Sequence, residues 1–244
     1  MPTTFRTTLS PRTVRSVLAV ALSLSAVAAG CGDDTADDAS LSADACDAYA
    51  TIGAAMLGDP SGVESARDVL VAGASDSVRS AATTYGDAML AATGGDEAAL
   101  EGDDVSAAMH DIGVAATDSC DAAADIVVGG LDFAFEGLPE QIPAGRIAID
   151  FTNETTSGEP HEMLILRRAD GADETVAELF ELPEDEAMSK VIPTAVVFAD
   201  QPGRHGYGLV DLEAGEYIAV CMIPTAGDGP PHGLNGMVDE FTVS

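Results

Sequence analysis

Positive charge is what this sequence most lacks. Ten lysines and arginines face 42 aspartates and glutamates, for a formal net charge of -32. Three of those ten, Arg6, Arg12 and Arg15, sit within the first thirty residues, which hold no acidic residue. A chain so poor in cationic patches has nothing with which to grip a phosphate backbone, so a nucleic-acid partner is excluded. The acidic residues are spread along the chain, which fits a solvated acidic surface better than one anionic site. The sequence also lacks a phosphate-binding loop, a dinucleotide fingerprint and an HExxH zinc motif. Its one continuous apolar run, Val17–Ala29, is too short to span a bilayer comfortably.

That run has another reading. It follows a basic segment and ends in Ala28-Ala29-Gly30-Cys31, small residues before a cysteine. The pattern of charged start, apolar middle and small-residue cut is that of an export signal. The ending resembles the bacterial lipobox, with Ala28 where leucine is usual. The resemblance implies a signal peptide over 1–30 and a lipid on Cys31, which would become the mature N-terminus. The protein would then be extracytoplasmic, held at the cell membrane by its acyl chains. Residues 31–42 (beginning GDDTADDASLS from Gly32) are acidic and small, a linker rather than a folded element.

Only four cysteines are present. Besides Cys31, Cys46 and Cys120 flank one helical region and can form a disulfide in an oxidising compartment. Cys221 is left over, and an unpaired cysteine in an exported protein needs a reason.

From 43 to 126 the chain is rich in alanine, with apolar residues at helical spacing: Tyr49, Ile52, Ala55 and Met56, then Val69, Leu70 and Val78, then Tyr85, Met89 and Leu90, then Met109, Ile112 and Val114. Breaks fall at Gly58-Asp59-Pro60, Gly73-Ala74-Ser75 and Thr93-Gly94-Gly95-Asp96. The spacing predicts a bundle of about four helices, with Ser61 or Ser65, Ser75 and Asp104 as caps. A Cys46–Cys120 bridge would tie its first helix to its last and contribute roughly 4 kcal/mol in the chain-entropy picture. His110 alone makes no site.

Over 127–244 the texture changes to short alternating segments. Leu131, Phe133 and Phe135 alternate, as do Ile147, Ile149 and Phe151; His161, Met163 and Ile165 share one face, Leu164 and Leu166 the other; Tyr217, Ala219 and Cys221 alternate again. About seven strands with Pro and Gly turns predict an all-β Greek-key sandwich, interrupted by one helix near Asp173–Leu182. The fold class expected is therefore α+β in two domains, a helical bundle and then a β-sandwich.

The sandwich carries His161, Cys221, His232 and Met237. They lie in Phe151-Thr152-Asn153 … Pro160-His161, at the end of Leu212-Glu213-Ala214-Gly215-Glu216-Tyr217-Ile218-Ala219-Val220-Cys221, and in Pro231-His232-Gly233-Leu234-Asn235-Gly236-Met237. This order resembles the cupredoxins, the plastocyanin and azurin kind of blue-copper domain, over about Leu131 to Ser244. The resemblance implies one copper ion in a trigonal His161, Cys221, His232 plane, with Met237 as the long axial ligand. It implies one-electron transfer or copper carriage with a redox partner protein, and no catalysis by the chain itself. Thiolate, imidazole and thioether together do suit copper cycling between two oxidation states.

One spacing departs from the pattern. Ten residues, Met222 to Pro231, separate Cys221 from His232, where cupredoxins have a few. The insert either returns His232 to Cys221 or carries it away. Met222 and Met163 are substitute thioethers in that second case. A metal-free sandwich acting as an envelope interaction module is the alternative function. A third reading, an enzyme with Cys221 as nucleophile, finds no orienting third residue. His205 is expected in a surface turn.

Overall fold

The computed structural model describes residues 38–58 and 60–244. The signal segment, Cys31 and most of the acidic linker lie outside the described residues. Helices and sandwich belong to one compact unit, Ala36–Ser244.

Four helices come first: α1 Ala43–Ala55, α2 Val63–Gly73, α3 Arg79–Thr93 and α4 Asp103–Ser119. The expected breaks separate them, because Gly and Pro end helices there. The caps differ from expectation. α1 is capped by Ser42, whose hydroxyl accepts from the Ala45 amide, while α2, α3 and α4 start after Gly62, Val78 and Gly102 without a side-chain cap. Ser75 serves the incoming chain instead: its hydroxyl accepts from the Ser40 amide at 3.1 Å. Its own amide donates to the Ser40 carbonyl at 3.0 Å, and the Ser42 amide to that of Gly73 at 2.9 Å. The Leu41 amide donates to the Ser119 hydroxyl at 2.9 Å. Asp104 lies with Asp103 in the first turn of α4, where carboxylates suit the helix dipole. Cys46 and Cys120 are bonded, with Cα atoms 5.7 Å apart.

The sandwich has nine strands: β1 Ala124–Leu131, β2 Ala134–Glu136, β3 Gln141–Ile142, β4 Gly145–Asn153, β5 His161–Arg168, β6 Val191–Ala199, β7 His205–Leu212, β8 Gly215–Val220 and β9 Val238–Val243. One sheet has the order β2-β1-β4-β7, the other β3-β9-β8-β5-β6. The β1–β4 and β3–β9 pairs are parallel and the rest antiparallel. The chain crosses between sheets at β2–β3, β3–β4, β4–β5, β6–β7 and β7–β8, giving the expected Greek-key kind of sandwich.

The period-2 pattern sorts as read. Met163, Ile165, Tyr217, Ala219 and Cys221 enter the inter-sheet core with Phe151 and Ile149. Leu164, Leu166, Ile218 and Val220 face outward, where α5 (Val176–Glu181) covers them with Val176, Leu179 and Phe180. The single helix expected over 173–182 is two: α5, started by a Thr175/Glu178 capping box, and α6, Glu184–Met188. Pro183 separates them, since the residue before a proline avoids helical geometry. Leu131, Phe133 and Phe135 do not alternate on one strand. The chain reverses at Asp132-Phe133, where Phe133 has φ 65°, and β2 folds back on β1.

The bundle is seated on the sandwich. Its core includes Ile52, Leu70 and Ile112 from the helices and Ala148 and Leu209 from β4 and β7. A Cβ on Gly113 would lie 2.3 Å from the Tyr207 ring, so only glycine lets α4 approach β7 this closely. Arg146 on β4 pairs with Asp211 at 2.9 Å and with Asp47 of α1 at 2.6 Å. Replacing Cys46 and Cys120 together by alanine is expected to cost about 2–5 kcal/mol, the usual range for removing a native disulfide. Urea unfolding of the variant against the oxidised parent measures it, and equal midpoints with equal slopes would refute the assignment.

Candidate metal centre

All the residues of interest gather at one end of the sandwich. His161 is the first residue of β5, Cys221 follows β8, His232 opens a 3-10 turn (His232–Asn235), and Met237 precedes β9.

Asn153 sets the approach to His161. It ends β4 fully buried, and its amide nitrogen donates to the carbonyls of Glu159 at 2.9 Å and Ala199 at 3.2 Å. Its side-chain oxygen accepts from the Thr155 amide at 3.0 Å. The loop is held again at Asp132, which accepts from the hydroxyls of Thr155, Thr156 and, through its amide, Ser157. Those bonds, that of Thr155 foremost, keep the Asp132 carboxyl well below the usual carboxylate range.

The Cys-to-His insert closes on itself. Pro224 and Pro231 form an antiparallel bridge, and the Thr225 amide donates to the Pro230 carbonyl at 3.0 Å. The Asn235 side chain donates to the Thr225 hydroxyl at 2.8 Å. The long excursion therefore begins and ends at neighbouring points, and His232 returns to Cys221. Backbone bonds then lock the loop to the end of β8. The Cys221 amide donates to the Met237 carbonyl at 3.1 Å, and the Gly233 amide to the Cys221 carbonyl at 2.8 Å. The Met237 amide donates to the His232 carbonyl at 3.0 Å. Glycine is required at 233, where a Cβ would meet Val220 at 2.6 Å and the Phe180 ring at 3.0 Å.

The side chains of His161, Cys221 and His232 come together. Nδ1 of His161 lies 3.1 Å from Nδ1 of His232, and the Cys221 sulfur 3.5 Å from that same His232 nitrogen. One donor atom from each of the three lies within 4.8 Å of the others. Cys221 and His232 are 0 % exposed and His161 1 %. Burial pushes the Cys221 thiol up, and burial, then the neighbouring His232, pushes the His161 pKa down. Nε2 of His161 and of His232 are buried without a hydrogen-bond partner. Two imidazoles and a thiol so placed, with nitrogens left over, fit a soft or borderline metal ion. Met237 is 0 % exposed in the same core, and its methyl group faces Gly130 beside the Phe151 ring.

Of the substitute thioethers, Met163 lies in the same inter-sheet core as Cys221 and Met237, and Met222 is 39 % exposed. His205 begins β7 rather than occupying a turn, because it pairs with Thr152 across the sheet edge. Its Nδ1 lies 2.6 Å from Asp150 and its ring stacks on Tyr207, whose hydroxyl is 3.3 Å from His110. Sequence reasoning missed Glu159 and Glu162. Glu159 Oε2 is 3.4 Å from His232 Nε2, and Glu162 accepts from the Met222 amide at 3.1 Å. Only their closeness in sequence to His161 could have marked them.

No model of a known protein family matches the chain, and no curated protein does. Among solved structures the chain is similar to auracyanin B, at 22% identity over 51% of this chain and 91% of that one, TM-score 0.34. It is also similar to a multicopper oxidase (13%, 51% and 45%, TM-score 0.31) and to a Cu-containing nitrite reductase from Thermus scotoductus (11%, 51% and 32%, TM-score 0.30). The chain thus spans less than half of those two proteins. The chemistry of the site rests on the side chains described above.

A buried thiol of raised pKa reacts slowly, because thiolate is the nucleophile. Cys221 is expected to resist a thiol reagent in the folded, metal-free protein and to react fully in denaturant. Rapid labelling of the native protein would show that the sulfur is not sealed as described.

Proposed function

We propose that this chain is a copper-binding, electron-transfer protein, anchored outside the cytoplasm through a lipid on Cys31. The observation that carries the reading is the convergence of His161, Cys221 and His232 in a buried, loop-locked cluster. His161 Nδ1, His232 Nδ1 and the Cys221 sulfur would hold one copper ion, with Met237 as a weak fourth ligand. Copper held so would supply a one-electron couple, in which the axial ligand and the polarity around the sulfur tune the potential. The chain's own part is to keep its donors still. Ligands fixed by backbone bonds on both sides of Cys221 rearrange little when the charge changes by one.

The ten-residue insert supports this reading over a metal-free interaction module, since it is built so that His232 returns to Cys221. The proposal assigns no catalytic role to the chain: Cys221 is buried and the nearby histidines face one another rather than an open cleft. A protein redox partner is proposed, and copper carriage is the neighbouring function of the same site. The lipid signal supports location at the membrane from the outside.

Copper(II) titrated into the protein from Gly32 onward is expected to give an intense visible thiolate-to-copper band that saturates at one equivalent. Cys221→Ser should abolish the band, and Met237→Leu should keep copper while shifting the potential. A band that survives Cys221→Ser would sink the ligand assignment. In cells, the full chain should partition with membranes and Cys31→Ser should release it; equal partitioning of the two would refute the anchor.

A further inference from the structure

The His232 ring is wholly buried, yet only one of its nitrogens faces the other donors. Nδ1 points to His161 and Cys221, whereas Nε2 points away and has no hydrogen-bond partner. The charged group within reach of Nε2 is Glu159, at 3.4 Å. Glu159 is itself held from two sides. Its other oxygen accepts from the backbone amide of Ala226, and its main-chain carbonyl accepts from buried Asn153. Ala226 belongs to the Cys-to-His insert. Among the described residues it is one of two non-glycines with positive φ, at 53°, and the other is Phe133, whose ring meets His232 edge-on at 5.3 Å. Sparsely populated backbone conformations gather where surrounding structure enforces them for a purpose. Here both bear on one imidazole, one through its ring face and one through the carboxylate behind it.

We propose that Glu159 is a positioning residue for the metal centre: it accepts a hydrogen bond from His232 Nε2–H and biases a bound copper toward its oxidised state. The insert is the device that presents it, by supplying the Ala226 amide. A carboxylate behind a ligating imidazole fixes the tautomer with Nδ1 as the free donor and makes that donor more basic. Added negative charge in a poorly solvated place favours the higher metal charge. The inference rests on the copper reading for its second half, whereas its first half concerns the metal-free protein.

The test has two arms. In the metal-free protein, nuclear magnetic resonance should show a slowly exchanging His232 Nε2–H proton that is lost in Glu159→Leu. In the copper-loaded protein, Glu159→Gln should retain the visible band and lower the preference for copper(II) over copper(I) roughly tenfold, a rise of about 59 mV for one electron. Glu159→Asp, which keeps the charge but not the reach, should move the potential the same way. Glu136→Gln, at an exposed acid of β2 that does not touch His232, measures what loss of charge alone does. A Glu159→Gln potential no higher than that of Glu136→Gln, with the band intact, overturns the bias. A parent protein without any thiolate band overturns the copper reading and the bias together, and the proton arm then decides the hydrogen bond alone. Absence of the Nε2–H signal overturns that bond.

Discussion

Three electron-rich side chains are buried against one another, and the rest of the sandwich end is organised around that cost. Burying a polar group without a partner costs on the order of 1–3 kcal/mol; Nε2 of His161 is buried so, and that of His232 has the Glu159 carboxylate 3.4 Å away. The surrounding backbone makes the arrangement tolerable by leaving little else unsatisfied. Cys221 is bonded at both its amide and its carbonyl, Met237 and His232 bond each other, and Asn153 closes the opposite loop.

Much of this was legible beforehand, and the reasons differ by element. The faces of β5 and β8 followed from alternation, because a sheet with a helix on one side and a second sheet on the other buries both faces. The disulfide followed from two cysteines flanking one helical stretch. Order and flanking turns marked His161, Cys221 and His232, which the fold brings together. What stayed hidden depended on contacts distant in sequence. Whether the insert closes is decided by Pro224 meeting Pro231, and nothing in the composition of that segment sets its path. Phe133 looked like a strand residue because its neighbours alternate, yet Asp132 beside it is tied to Thr155 and turns the chain. Ser75 had the makings of a helix cap, and the incoming chain claimed its hydroxyl first. Glu159 was one acidic residue among 42 until its neighbour across the loop was known.

The helical part and the sandwich meet through small residues as much as large ones. Gly113 admits Tyr207, whose carbonyl in turn accepts from the Tyr49 hydroxyl at 3.1 Å. Arg146 joins α1 to the sheet by two ion pairs; exposed pairs of this kind add little energy singly but fix orientation. The bundle is thereby seated on β4 and β7, while the donors lie at the start of β5 and between β8 and β9.

The sulfur bridge also sets how the molecule carries a mechanical load. A pull applied upstream of Ser40 first meets the short ladder joining Ser40 and Ser42 to Ser75 and Gly73. Past that ladder the strain runs along three residues of α1 to Cys46, crosses to Cys120 through the sulfurs, and passes directly into β1. The helices between those cysteines stand outside the line of force. Tension on the leading end therefore cannot unravel them one by one, and the bundle stays folded on its sheet while the chain ahead of it is stretched.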